Sequence, residues 1–145
     1  MDTPLWSMTL PSDARMLTTV RSFVETICNL AGLSEDVASA VVLATHEAAH
    51  NIIRHAHGGD ARTQLQIQCT LGPNRMEVRL LDEGEPFDLE SVPSLDPSEL
   101  RVGGRGIFLM RSLMDEVSCQ PRPGRGNSLC MVKRWTCRTT QRDAG

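Results

Sequence analysis

An α+β two-layer sandwich, with a mixed, mostly antiparallel sheet covered on one face by helices, is the fold class that this sequence predicts. Two observations carry the prediction. Segments 63–71 (TQLQIQCTL) and 75–81 (RMEVRLL) alternate apolar and polar residues with a period of two, and Gly72-Pro73-Asn74 joins them as a hairpin. Ahead of them, residues 12–32 and 34–57 carry apolar residues at three- and four-residue steps, the signature of two successive helices. Paired strands beside grouped helices, rather than strict alternation of the two, segregate the helices to one face of the sheet.

The elements follow in order. Leu5 to Leu10 reads as a short edge strand closed by Pro11, and Ser12-Asp13 as a helix start. Leu17, Val20, Val24, Ile27 and Ala31 form the apolar stripe of the first helix, which Gly32 stops. Ser34, followed by the acids Glu35 and Asp36, starts the second. Its stripe is Val37, Val41, Ala44, Ala48 and Ile52, and it runs to His57 before Gly58-Gly59 breaks it. After the hairpin, residues 89–102 carry two prolines and little periodicity, the composition of a loop or lid. GGRGIFLMRSLMDEV then opens a third helix with Ile107, Met110, Met114 and Val117 facing inward. A last hairpin joins 117–120 to SLCMVKRW through the turn Pro121 to Gly126.

Composition narrows the class of function. With 145 residues the chain is long enough for one packed domain, expected over 1–138, with 139–145 as a flexible tail. A formal charge of −3 and 3% aromatic residues give no electrostatic or stacking case for nucleic acid. No apolar run approaches the ~20 residues that cross a bilayer, and the first residues lack a signal-peptide pattern, so a cytoplasmic protein is expected. The five cysteines are scattered without a CxxC pair, which predicts buried free thiols rather than zinc or disulfides.

Three stretches carry candidate chemistry. In HEAAHNIIRHAHG, residues 46–58, Glu47, Asn51 and His55 recur every four residues and share one helix face. Asn51 offers a neutral oxygen of the kind Mg²⁺ accepts beside phosphate and water, or else bonds to neighbouring backbone. Glu47 is a candidate general base, or else a solvated acid. The four histidines, spaced 4, 5 and 2 apart, reproduce no metal-binding pattern. In DEGEPFD, residues 82–88, Asp82 suits an exocyclic amine and Gly84 lets backbone approach a flat ring; the plain alternative is a β-turn acid and glycine. In GGRG, residues 103–106, free N–H groups at a helix start suit a phosphate, although glycines there often serve only a turn.

Taken together and in this order, the stretches resemble the anti-sigma-factor serine/threonine-protein kinase family, RsbW-type, of the GHKL superfamily of histidine-kinase-like ATPases. HEAAHNIIRHAH is similar to the family's N box, DEGEPFD to its G1 box, GGRGIFLMRSLMDEV to its G2 segment, and PGRGNSLCMVKRW to its terminal glycine turn and strand. The resemblance covers residues 5–136 and implies a Bergerat-type ATPase fold. It implies ATP and Mg²⁺ as cofactors, with Glu47 activating a hydroxyl and Asn51 holding Mg²⁺. It further implies Asp82 on the adenine amine with Gly84 beside the ring, Gly104 and Gly106 on phosphates, and Ser128 near the adenine. Arg101 and Arg105 are its candidates for the γ-phosphate. The implied reaction is phosphorylation of Ser or Thr on an anti-anti-sigma (STAS-domain) partner. Sequestration of a sigma factor and a homodimeric state are further implications; a non-catalytic nucleotide-binding module that holds a regulator is the alternative. Two departures stand out: Glu85-Pro86 where a further glycine is common in the superfamily, and Asn127-Ser128 where Thr is commoner.

Overall fold

The computed structural model describes residues 5–56, 62–84 and 104–136. The expected lid at 89–102 with Arg101, the helix break at Gly58-Gly59 and the tail at 139–145 lie outside the described residues, as do the side chains of His55, Gly104 and Arg105.

Among the described residues five strands form one sheet in the order β1-β2-β3-β5-β4: β1 (Leu5–Pro11), β2 (Gln64–Gly72), β3 (Arg75–Asp82), β4 (Glu116–Pro121) and β5 (Asn127–Arg134). Every ladder between them is antiparallel. β1 is an edge strand, and Asn74 turns the β2–β3 hairpin at φ 57°. The helices are α1 (Leu17–Leu30), α2 (Glu35–Asn51) and α3 (Gly104–Leu113). Asp13 caps a 3-10 turn, Ala14–Met16, that leads into α1, its side chain accepting from the Arg15 N–H at 2.8 Å. Ser34 caps α2 by accepting from the Val37 N–H at 3.3 Å, which satisfies one of the orphan donors at the helix start.

One contiguous core lies between sheet and helices. Val20, Val24 and Ile27 of α1, Val41, Ala44 and Ala48 of α2, and Ile107 and Met110 of α3 pack over Leu65, Ile67, Met76, Val78, Leu80 and Met131. Burying each large aliphatic chain contributes about 1.5–3 kcal/mol, so the apolar stripes rather than helix propensity hold the layers together. The thiols of Cys28 and Cys69 belong to this core, and burial pushes them up to about 11 and about 12 respectively, which leaves them unreactive. Cys137 lies outside the described residues. Among the described residues no helix is long and apolar enough to cross a membrane.

One feature of α2 has no signal in the sequence. After Asn51 the helix widens into a π turn over Ile52–Ala56 instead of continuing as α-helix. Such π turns occur often at functional sites, and this one begins at the residue after Asn51.

Candidate active site

Helix α2 separates two sets of polar side chains. Around its axis, Glu47 and Asn51 lie on one flank of the apolar stripe, whereas His46 and His50 lie away from the stripe. Asn51 faces α3: a Cβ placed on Gly106 would lie 2.8 Å from Asn51 Nδ2 and 3.2 Å from Oδ1. Only a glycine in the first turn of α3 lets that helix start come so close. The Asn51 Nδ2 is buried and has no hydrogen-bond partner among the described residues. A buried amide left unsatisfied costs about 1–3 kcal/mol, which is recovered when a ligand supplies the partner. The first-turn N–H groups of α3 are unsatisfied within the helix and carry the positive end of its dipole. An amide donor with no partner among the described residues, set beside free helix N–H groups, is a donor set that fits an anionic polyphosphate, and the oxygen of the same amide is of the kind Mg²⁺ accepts.

Gly106→Ala tests the cradle with two readouts that move in different directions. Alanine is the better helix former by about 0.8–1 kcal/mol, and the clash is with the end of a movable side chain. The melting temperature is therefore expected to hold or rise. Mg-ATP affinity is expected to fall by about ten- to a hundredfold as Asn51 is pushed aside, measured by calorimetric titration.

On the other side of α2, the rings of His46 and His50 stack with centroids 6.5 Å apart, and His46 Nδ1 is buried without a hydrogen-bond partner among the described residues. Burial holds His46 below its ordinary value of 6.5; the charge of Glu47 opposes this, and Arg21 and His50 reinforce it. Because the folded state disfavours the imidazolium, the unfolded chain binds more protons once the pH drops below about 6.5. This contribution to stability is complete above that value and is lost progressively below it. His46→Gln is expected to flatten that acid limb of the melting temperature measured between about pH 7.5 and pH 5.

The second cluster sits where β3 ends. Asp82 is 2% exposed. Its Oδ1 accepts from the Gly84 N–H at 2.7 Å and from Asn127 Nδ2 at 3.2 Å. Asp82 and Asn127 are register partners, and both continue the inward sets Met76-Val78-Leu80 and Leu129-Met131. They therefore point into the layer that α2 and α3 cover. A carboxylate held this way presents an acceptor edge to an amine lying against the Gly84 turn.

Ser128 is a correction. Its register partner is Leu81, and its hydroxyl accepts from Arg79 Nη1 at 3.4 Å on the opposite face of the sheet. A one-residue step along a strand reverses the face, so Asn127 and not Ser128 reaches Asp82. The signal was available, since inward Leu129 and Met131 dictate an inward Asn127. Glu47 stands half-buried on α2 one turn before Asn51. The backbone of Gly104 starts α3, while Arg101 and the Arg105 side chain lie outside the described residues.

A helix-borne amide facing a glycine helix start, with a buried carboxylate at a strand end on the same face, defines an ATP-binding phosphoryl-transfer module. The chain belongs to the family described as histidine kinase-like ATPase domain, whose model matches residues 10–133. It is 32% identical over 125 residues to the serine-protein kinase RsbW of Halalkalibacterium halodurans, covering 81% of this chain and 76% of that protein. Against the serine-protein kinase RsbW of Bacillus subtilis the identity is 29% over 125 residues, covering 81% and 78%. The crystal structure of the RsbU and RsbW domains of Rv1364c from Mycobacterium tuberculosis shares the fold, with a TM-score of 0.62 at 14% identity. That match covers 91% of this chain and 32% of the other.

Proposed function

We propose that this protein is an ATP-dependent serine/threonine-protein kinase of a cytoplasmic partner-switching system. It transfers the γ-phosphoryl group to a hydroxyl on an anti-anti-sigma (STAS-domain) protein, works as a homodimer, and also sequesters a sigma factor. The observation that carries this reading is Asn51 set against Gly106, its buried Nδ2 without a hydrogen-bond partner among the described residues, one helical turn beyond a half-buried glutamate.

In this reading Asp82 accepts from the adenine amine, Gly84 passes beside the ring, and Asn127 orients the carboxylate. Asn51 holds Mg²⁺ by its amide oxygen, and the N–H groups at Gly104 and Gly106 receive phosphate oxygens. Mg²⁺ supplies charge neutralisation on the phosphates. Arg101 and Arg105 are assigned to the γ-phosphate. Glu47 aligns the acceptor hydroxyl, and the hydroxyl oxygen bonds to the γ-phosphorus as the bond to the β–γ bridging oxygen breaks. ADP departs with that electron pair, and the hydroxyl proton passes to the Glu47 carboxylate. Residues 1–138 form the catalytic domain.

The test is transfer of labelled γ-phosphate from Mg-ATP to a purified STAS-domain protein from the same cell. Labelling of a Ser or Thr on the acceptor is the expected result. Tight nucleotide binding with no label on any acceptor would overturn the kinase reading in favour of a non-catalytic regulator-binding module.

A further inference from the structure

Asp82 is held by more than its own turn. The β4–β5 turn wraps the end of β3 and bonds to two consecutive main-chain carbonyls: Arg122 Nη1 donates to Asp82 O at 2.8 Å, and Arg125 Nε donates to Glu83 O at 2.9 Å. The turn closes on itself through the Arg122 N–H, which donates to Gly126 O at 3.0 Å. Gly126 presses against the Asp82 carbonyl so closely that a Cβ there would lie 2.0 Å from it. The β3–β5 ladder ends at the pair Asp82–Asn127, so Glu83 lies beyond the reach of strand pairing. Charge-assisted bonds from two guanidinium groups fix the peptide planes at the point where the ladder stops fixing them.

We propose that Arg122 and Arg125 are positioning residues for base selectivity, holding the Asp82–Gly84 segment so that the carboxylate meets adenine and rejects guanine. The inference rests on the reading that Asp82 receives the adenine amine. The chemistry explains why rigidity matters. Adenine offers an exocyclic N–H₂ donor where guanine offers a carbonyl acceptor, which a fixed carboxylate repels. Guanine also carries N–H donors one ring position further round, and a carboxylate free to shift reaches those instead. Selectivity of this kind depends on a polar group that cannot move to suit the wrong partner. Asn127 and the Gly84 N–H fix the side chain of Asp82; the two arginines fix the main chain that carries it.

The experiment compares dissociation constants for Mg-ATP and Mg-GTP, by competition against a fluorescent ATP analogue, together with melting temperatures. The variants are Arg122→Met, Arg125→Met, the double variant, Arg122→Lys and Asp82→Asn. In the double variant the GTP-to-ATP ratio of dissociation constants is expected to fall by about tenfold or more, with Arg122→Lys retaining most of it. Loss of affinity for both nucleotides in equal proportion, the ratio unchanged, would reduce the arginines to general bracing and overturn the proposal. Arg125→Met, at an exposed position, provides the comparison in a folded protein if the double variant melts early. Asp82→Asn separates the two ways of failing. If it leaves the ratio unchanged, or if the wild type does not discriminate, the adenine reading of Asp82 is wrong. If it collapses the ratio while the arginine variants do not, only the positioning role is wrong.

Discussion

Glu47→Gln is expected to lower γ-phosphoryl transfer by about 10²–10⁴-fold while Mg-ATP affinity stays within about twofold of wild type. The amide has the volume and much of the hydrogen-bonding capacity of the carboxylate, so packing along α2 is kept. What it cannot do is take a proton from the acceptor hydroxyl. Glu47 stands one turn before Asn51 on the same side of the helix, and it is Asn51 that faces Gly106 and the start of α3. The contrast with Asn51→Ala makes the assignment specific. Removing the amide takes away the oxygen proposed for Mg²⁺ and the buried donor together, so binding of Mg-ATP and transfer are expected to fall together. Single-turnover labelling of the acceptor, run beside nucleotide titration, distinguishes the two patterns. Equal transfer by wild type and Glu47→Gln would sink the base assignment, because a phosphoryl transfer that needs no proton acceptor there depends on positioning alone.

Much of this architecture was legible because its signals are local. The cap at Ser34, the acids after it and the stripe through Val41, Ala44 and Ala48 each follow from one helix meeting one core. The alternation in β2 and β3 gave the hairpin, because a half-buried sheet forces a period of two. The same alternation, followed one residue further along β5, selects Asn127 over Ser128. The resemblance to a family with Thr in this turn drew attention to the wrong one of two adjacent residues. Other features rest on residues far apart in the chain. No local pattern says that Gly106 lies against Asn51, or that Arg122 and Arg125 reach back to the carbonyls at the end of β3. Nor does any spacing mark the π turn after Asn51, since each of its residues is as compatible with an ordinary α-helix. The sequence therefore exposes the parts of the site and their order, whereas their contacts depend on the packing of α2, α3 and the β4–β5 turn.

Gly126→Ala is expected to be the most damaging small substitution in the described chain. Two separate effects coincide there. Gly126 has φ +98°, a backbone conformation that residues with a side chain rarely adopt, and its Cβ would lie 2.0 Å from the Asp82 carbonyl oxygen and 2.9 Å from Glu83 Cα. The atoms in the way are main chain, so no rotamer change relieves the overlap, and the end of β3 must separate from the start of β5. Overpacking and backbone strain together are expected to cost about 3 kcal/mol or more, a large part of the stability of a domain this size. Gly124 supplies the control: it has φ +88° in the same turn, but none of the described residues comes within 4 Å of its Cβ position. Gly124→Ala therefore carries the strain without the collision and is expected to cost about 1 kcal/mol. Urea denaturation of both variants measures the difference, and ATP titration of whatever Gly126→Ala remains folded measures the damage at Asp82. Because that collision is with the Asp82 carbonyl, lost stability and lost nucleotide affinity should appear together at Gly126 and neither strongly at Gly124. Equal, mild effects at the two glycines would mean that the β4–β5 turn does not press on the end of β3 through Gly126.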